Sequence, residues 1–326
     1  MSISQSPPSS TQPLHTVLIG TSLGAESDAV VRAGLAVARA SKGKVYLIHA
    51  APAQHPLGRY PEGAALTEIQ GEIDAREASL RQQIERLGIQ PEELAGADVH
   101  TGAPYRILVE TARKLRAGLI VIGAAGAGPV AAELLGSTAD RVLRKALAPV
   151  LVVRGELAVP LHRVLAPVDL STLSADAFRC GLGVLCQIAA PDLQVKTLYA
   201  VGLLETLAAR KDESFEEAAR RAESAAREEL RRFVLENRPE VPVHLETAVV
   251  RGEARQEILD ELGKSPADLI LLGTHGRGGL DRLVLGSVAA TIARKAPCSV
   301  LMVSPDAAMA EGIAEAVATH FAPAFH

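Results

Sequence analysis

Gly273-Thr-His-Gly276-Arg-Gly-Gly-Leu-Asp-Arg-Leu-Val-Leu-Gly286-Ser287 has the spacing G-x2-G-x9-G-S, and the same spacing occurs earlier at Gly123, Gly126, Gly136 and Ser137. The repetition spreads outward from those glycines. Thr16–Gly24 (TVLIGTSLG) lines up with Arg163–Ser171 (RVLAPVDLS), Val45–Ala50 (VYLIHA) with Val195–Ala200 (VKTLYA), and Gly118–Gly123 (GLIVIG) with Asp268–Gly273 (DLILLG). Arg144–Ala146 answers Arg294–Ala296, and Val150–Val153 (VLVV) answers Val300–Val303 (VLMV), at an offset of 147 to 150 residues throughout. Two copies of one domain follow. The length of 326 residues agrees, since domains of roughly 150 residues bury enough surface to fold without staples.

Composition narrows the classes of function. A net charge of −4 and a pI near 6.2 supply no basic field for a polyanion, and four Tyr, five Phe and no Trp leave few stacking platforms. Nucleic acid is therefore not the expected partner. Cys180, Cys186 and Cys298 are too few for a disulfide framework and form no CxxC metal pair; they read as buried thiols in a reducing compartment. No metal site is expected. The uncharged run Gly118–Ala132 is broken by glycines and Pro129 and falls short of the ~18 apolar residues of a membrane span. Residues 1–14, rich in Ser, Pro and Gln without an apolar core segment, read as a disordered tail and not a secretory signal. The expectation is a soluble, cytoplasmic protein with no membrane association.

In each half, short β-branched runs alternate with longer Ala-, Glu- and Arg-rich stretches, the pattern of a parallel sheet with helices between its strands. The second half predicts strands near 163–168, 194–200, 243–249, 268–272 and 299–303, and helices over Ala175–Ala189, Ser214–Asn237, Gln256–Ser265 and Ser287–Ala296. Pro239 and Pro242 end the long helix, as Pro91 ends its counterpart over Leu66–Leu87. The nearly all-apolar strands imply helices on both faces. The expected domains are 15–154 and 162–304, joined by a short linker, Gly155–Leu161, with residues 305–326 as an appended extension of helical spacing.

In an open parallel sheet, ligands sit beyond the carboxyl ends of the strands where strand order reverses. Gly273 and Gly276 leave such a strand, and the absence of a Cβ lets backbone amides approach phosphate oxygens. Gly286-Ser287 then opens a helix whose free amides favour an anion. The plainer alternative is an ordinary strand-to-helix turn with Ser287 as its N-cap.

With an Asp ending the first strand, this motif resembles the universal stress protein family over nearly the whole chain except its two tails. The resemblance implies two tandem flavodoxin-like, adenine nucleotide alpha hydrolase-like α/β domains. Each would hold a five-stranded parallel sheet with first and fourth strands adjacent, so that Asp169 and Gly273 share one crevice. By the same resemblance Pro167, Val168 and Asp169 lie at the adenosine end, Ala200 offers its backbone near the base, and Gly276, Arg277, Gly278, Gly286, Ser287 and Val288 surround the phosphates. The implied ligand is ATP, or AMP or ADP, with Mg2+ as a companion ion. A carboxylate suits that place because it only accepts hydrogen bonds, and adenine N6 and ribose hydroxyls donate; the alternative for Asp169 is a strand-end helix cap.

The first copy differs. Ser22 stands where Asp169 stands, Gly20 replaces Pro167, and Ala125 and Ala127 replace His275 and Arg277. It keeps Gly123, Gly126, Gly136, Ser137 and Thr138, but its loop carries no charge through Ala132. Nucleotide is therefore expected mainly in the second domain. Of the loop's polar residues, Arg277 matches phosphate best through its planar fork. The expected function is regulatory nucleotide binding in a stress response. A ligand-free scaffold, or a slow ATP-hydrolysing or adenylyl-transferring enzyme, stays open, although no P-loop, HxGH or clustered base with metal carboxylates is present and no catalytic residue is assigned. The last strands, Val150–Val153 and Val300–Val303, are apolar edges that need covering. In the family that the chain resembles the equivalent strands meet across a dimer, so the resemblance implies a pseudo-dimer of the two domains within the chain, with room for a homodimer between chains.

Overall fold

The computed structural model describes residues 14–51, 66–124, 135–202, 214–238, 243–276 and 285–309. The first half runs β1 (Thr16–Thr21), α1 (Asp28–Ala40), β2 (Lys44–Ala51), α2 (Leu66–Arg86), β3 (Leu94–Thr101), α3 (Pro104–Leu115), β4 (Leu119–Gly123), α4 (Ser137–Lys145) and β5 (Val150–Val153). The second repeats this as β6 (Leu161–Pro167), α5 (Thr172–Cys186), β7 (Ala189–Val201), α6 (Phe215–Asn237), β8 (His244–Arg251), α7 (Ala254–Lys264), β9 (Leu269–Gly273), α8 (Ser287–Lys295) and β10 (Ser299–Val303), followed by α9 (Pro305–Met309). Among the described residues no helix is long and apolar enough to cross a membrane.

All the strands join one sheet in the order β3-β2-β1-β4-β5-β10-β9-β6-β7-β8. Within each half the pairing is parallel, and the first and fourth strands are neighbours, as expected. Alternation along each strand divides the core into two layers. Val17, Ile19, Leu269 and Leu271 join α1, α2, α5 and α6 on one face, while Leu18, Ile120, Ile270 and Leu272 join α3, α4, α7 and α8 on the other. The outermost strands, β3 and β8, are the more exposed ones, in keeping with their place at the two edges.

The halves meet where β5 and β10 pair antiparallel, with Leu151 opposite Leu301 and Val152 opposite Val300. These four residues are almost wholly buried, so each copy's apolar edge covers the other's. Polar contacts reinforce the seam reciprocally. Arg154, just past β5, donates from Nη2 to the carbonyls of Ala293 and Arg294 at the C-terminal end of α8, both at 2.6 Å. Ser304, at the matching place past β10, donates from Oγ to the carbonyl of Ala146 at the end of α4, at 3.0 Å. Each copy thus satisfies orphan carbonyls on the other's last helix.

Three expectations about elements need correction. Helix α5 starts at Thr172, after its cap Ser171, and ends at Cys186, so Ala189 belongs to β7. That strand runs through Pro191, which is tolerated because pairing with β8 begins only at Gln194 and no ladder bond is lost. Leu161 is already the first residue of β6 and not part of the linker. Of the cysteines, Cys180 alone is fully buried, whereas Cys186 and Cys298 are half-buried. The tail 1–13, Pro239, Pro242 and the extension beyond Met309 lie outside the described residues.

Candidate functional site

Strand β6 ends at Pro167 and its parallel neighbour β9 at Gly273, with Val164 opposite Leu269 and Leu165 opposite Ile270. From these adjacent ends the chain departs to opposite faces, into α5 in one layer and α8 in the other. A crevice opens between two such departures.

Asp169 stands at the head of β6, half-buried. Its Oδ1 accepts hydrogen bonds from the backbone amide and the hydroxyl of Ser171, at 3.0 and 2.6 Å. This Asx turn bends the chain through Leu170, a non-glycine residue at φ 63°. Ser171 then caps α5 by accepting from the amide of Ser174 at 3.2 Å. Asp169 is therefore not the helix cap; it orients the residue that is. The pattern D-x-S immediately before a helical run was the sequence signal for that arrangement.

The glycine loop reaches this carboxylate directly. A Cβ placed on Gly276 would collide with Asp169 Oδ2, so a larger residue there has to displace the carboxylate or the loop. Before it, Thr274 is buried, its amide donating to the carbonyl of Val303 at 2.9 Å, and its hydroxyl lies 2.8 Å from His275 Nδ1. His275 Nε2 is buried with no hydrogen-bond partner among the described residues. The loop closes where the Gly286 amide donates to the Thr274 carbonyl at 2.9 Å, an approach in which a Cβ on Gly286 would stand 3.2 Å from that oxygen.

Gly286, not Ser287, is the N-cap of α8, and as a glycine it supplies no side-chain cap. Ser287 is exposed as the first helical residue and Val288 half-buried as the second, and the first-turn amides of a helix have no intrahelical acceptor. Pro167 is buried at the end of β6, Val168 donates its amide to the Leu198 carbonyl at 2.9 Å, and half-buried Ala200 lies near the carboxyl end of β7. Arg277 and Gly278 lie outside the described residues, as does Gly126 in the first half.

The first half keeps the scaffold and changes its lining. Leu23 repeats the left-handed turn at φ 70°, and the Gly136 amide donates to the Ala124 carbonyl at 2.7 Å, as Gly286 does to Thr274. Gly136 caps α4 without side-chain help, with exposed Ser137 and half-buried Thr138 following. In place of the Asp169 turn, Ser22 Oγ donates to Glu26 at 2.9 Å. Beneath it lies a polar network that sequence reading missed. Thr21 Oγ1 donates to Gln83 Oε1 at 2.8 Å, Gln83 Nε2 donates to Asp28 at 2.8 Å, and Arg86 pairs with Asp28 through two nitrogens. At the matching offset Gln83 is replaced by Phe233, which packs on Phe178 with ring centroids 5.7 Å apart.

Comparison with known proteins shows the family. The universal stress protein family matches residues 13–154 and again 160–304. A universal stress protein of Mycolicibacterium smegmatis is 28% identical over 303 residues, covering 89% of this chain and 97% of its own. One of Mycobacterium tuberculosis is 27% identical over 305 residues, covering 88% and 96%. Among solved structures, a universal stress protein of Archaeoglobus fulgidus superposes with a TM-score of 0.57 at 18% identity, covering 90% of this chain and 99% of its own. A functionally unknown protein of Pseudomonas aeruginosa superposes at 0.59 and 19%, covering 90% and 94%. These structural likenesses speak to fold alone. With its family match in both halves and the duplicated architecture, the chain belongs to the universal stress protein family as a tandem, two-copy member.

Proposed function

We propose that the crevice of the second half binds an adenine nucleotide, ATP or its relatives AMP and ADP, as a regulatory ligand in a stress response. The observation that carries this reading is the contact of Gly276 with the Asp169 carboxylate, beside a helix whose N-cap is a glycine that offers its amides no side-chain hydrogen bond. A carboxylate held by its Oδ1 in the Asx turn is preorganised to accept from ribose hydroxyls or an exocyclic amine. The opening of α8 supports an anion through aligned amides. The buried His275 Nε2, which has no hydrogen-bond partner among the described residues, supports a hydrogen-bonding ligand there. Residues 277–284 complete the loop by sequence, and Arg277 adds a fork suited to phosphate. Among the described residues no three acids, histidines or cysteines cluster as metal ligands, so Mg2+ is expected to arrive with the phosphates.

Ligand binding, without turnover, is the proposed activity, and occupancy acts on the packing of the two halves. Calorimetric titration of the full chain with ATP and AMP tests it, alongside Asp169→Ala and Gly276→Val variants checked for fold by circular dichroism. Binding to the intact chain that is lost in both folded variants supports the reading. No binding by the intact, ligand-free chain overturns it and leaves scaffolding through the shared sheet as the function.

A further inference from the structure

The crevice of the first half holds a cavity of about 250 Å³ at the carboxyl ends of β1 and β4, and its lining differs in chemistry from the second crevice. Ser22, Glu26, His49, Leu108, Ile122 and Thr138 are among the residues around it. Glu26 is the one formally charged side chain among the described lining residues, and no lysine or arginine is with it. A phosphate entering there would meet the like charge of Glu26, with no lysine or arginine among the described lining residues. A donor would meet acceptors.

His49 adds to that character. Its Nδ1 lies 2.9 Å from the carbonyl of Thr21, which can only accept, so Nδ1 carries the proton and Nε2 is an acceptor in the neutral ring. Burial, together with the Arg76 charge, draws the imidazole below its ordinary value against the opposing Thr21 hydrogen bond, and the neutral form is favoured. Ile48, Pro104, Leu108 and Ile122 supply apolar wall for a flat body. The floor is already fixed, because Thr21 and Ser27 are tied to buried Gln83 at 2.8 and 3.1 Å, and Gln83 to Asp28. A preorganised polar floor, apolar walls and acceptors at the rim form a ligand site and not a collapsed remnant.

We propose that the first half binds an uncharged, donor-bearing molecule of nucleoside size, selected against phosphorylated forms by the Glu26 carboxylate. Size agrees with charge: the cavity lies just below the roughly 300–1,000 Å³ of ordinary ligand sites, a volume suited to a small ligand of nucleoside size. Duplication has on this view yielded two crevices of one backbone plan with opposite electrostatic preference. The proposal goes beyond nucleotide binding in the second half and does not depend on it.

Adenosine and AMP, which differ by one phosphate, are the probes. Each is titrated by calorimetry against the full-length Asp169→Ala chain, whose second crevice lacks its acid, with saturation-transfer NMR reporting contact. The expected result is one adenosine per chain and AMP binding at least tenfold weaker. Leu108→Trp fills the cavity and is expected to abolish adenosine binding. Because that variant alters a buried position, Glu26→Lys at an exposed one gives an independent reading, with the preference reversed so that AMP binds better than adenosine. Adenosine failing to bind, AMP binding as well as adenosine, or a preference unmoved by Glu26→Lys overturns the proposal. ATP titration of the intact chain reports separately on the second crevice, so the two readings fail distinguishably.

Discussion

Gly276 lies against Asp169 so closely that a β-carbon at position 276 would overlap the carboxylate oxygen Oδ2. The acid at the end of the first strand and the loop after the fourth are thereby one unit, although 107 residues separate them (276 − 169). Gly276→Ala has to displace either the loop or the acid, at a cost of about 1–3 kcal/mol. ATP affinity measured by calorimetry is expected to fall at least tenfold, with a thermal midpoint lowered by a few degrees.

Charge at position 169 is separable from shape. Asp169→Asn keeps the size and an acceptor for Ser171 but loses the carboxylate, and hydrogen bonds to a charged group contribute about 1.5–3 kcal/mol. ATP affinity is expected to drop roughly 10- to 150-fold in Asp169→Asn by the same measurement, while urea denaturation shows stability close to that of the parent.

The seam between the copies is a buried part of the sheet and not a domain interface of the loose kind. Leu301, which is 1% exposed and pairs with Leu151, contributes to a core shared by both halves. Leu301→Ala is expected to destabilise the chain by about 2–5 kcal/mol. A single urea transition for the entire protein, displaced in the variant, is the outcome to look for; two separate transitions in the parent would show that the halves unfold independently.

Asp28 sets a pH limit on the first half. The hydrogen bonds from Arg86 hold its carboxyl below the ordinary value of 3.8, helped by Gln83 and opposed by burial. A carboxylate whose folded pKa is depressed stabilises fully above the unfolded value, and that contribution is lost as pH falls through the folded one. Stability of the parent is therefore expected to fall below about pH 3.8 more steeply than that of Asp28→Asn, in urea titrations taken at successive pH values.

The thiols are expected to be inert. Burial pushes Cys180 up to about 12 and Cys186 and Cys298 up to about 11, so little thiolate exists at neutral pH. An aromatic disulfide reagent at pH 7.5 is expected to label the native chain slowly and the guanidinium-unfolded chain rapidly at all three positions.

Much of the fold was legible because it is written twice. Apolar runs such as Leu119–Gly123 and Leu269–Gly273 predict buried parallel strands, and the glycine spacing marks the strand-to-helix loops. That Val150–Val153 and Val300–Val303 cover each other was legible from their apolar character and the family resemblance, whereas their antiparallel direction emerges only in the structure. What was not legible depends on partners far apart in sequence. Gln83 reads as one more polar residue of a charged helix until folding brings it to Thr21 and Asp28, 62 and 55 residues away. Arg154 looks like a linker charge until α8 of the other copy arrives 139 residues later. The expected start of α8 at Ser287 holds, and the alternative of Ser287 as its N-cap does not, because the hydrogen bond to Thr274 fixes Gly286 in that place.

Stoichiometry tests the asymmetry between the two crevices most directly. Equilibrium dialysis of the full, ligand-free chain against labelled ATP is expected to give one ATP per chain, and none in a folded Asp169→Ala variant. Two ATP bound per chain with equal affinity, or one that persists in Asp169→Ala, would contradict the assignment of phosphate binding to the second half.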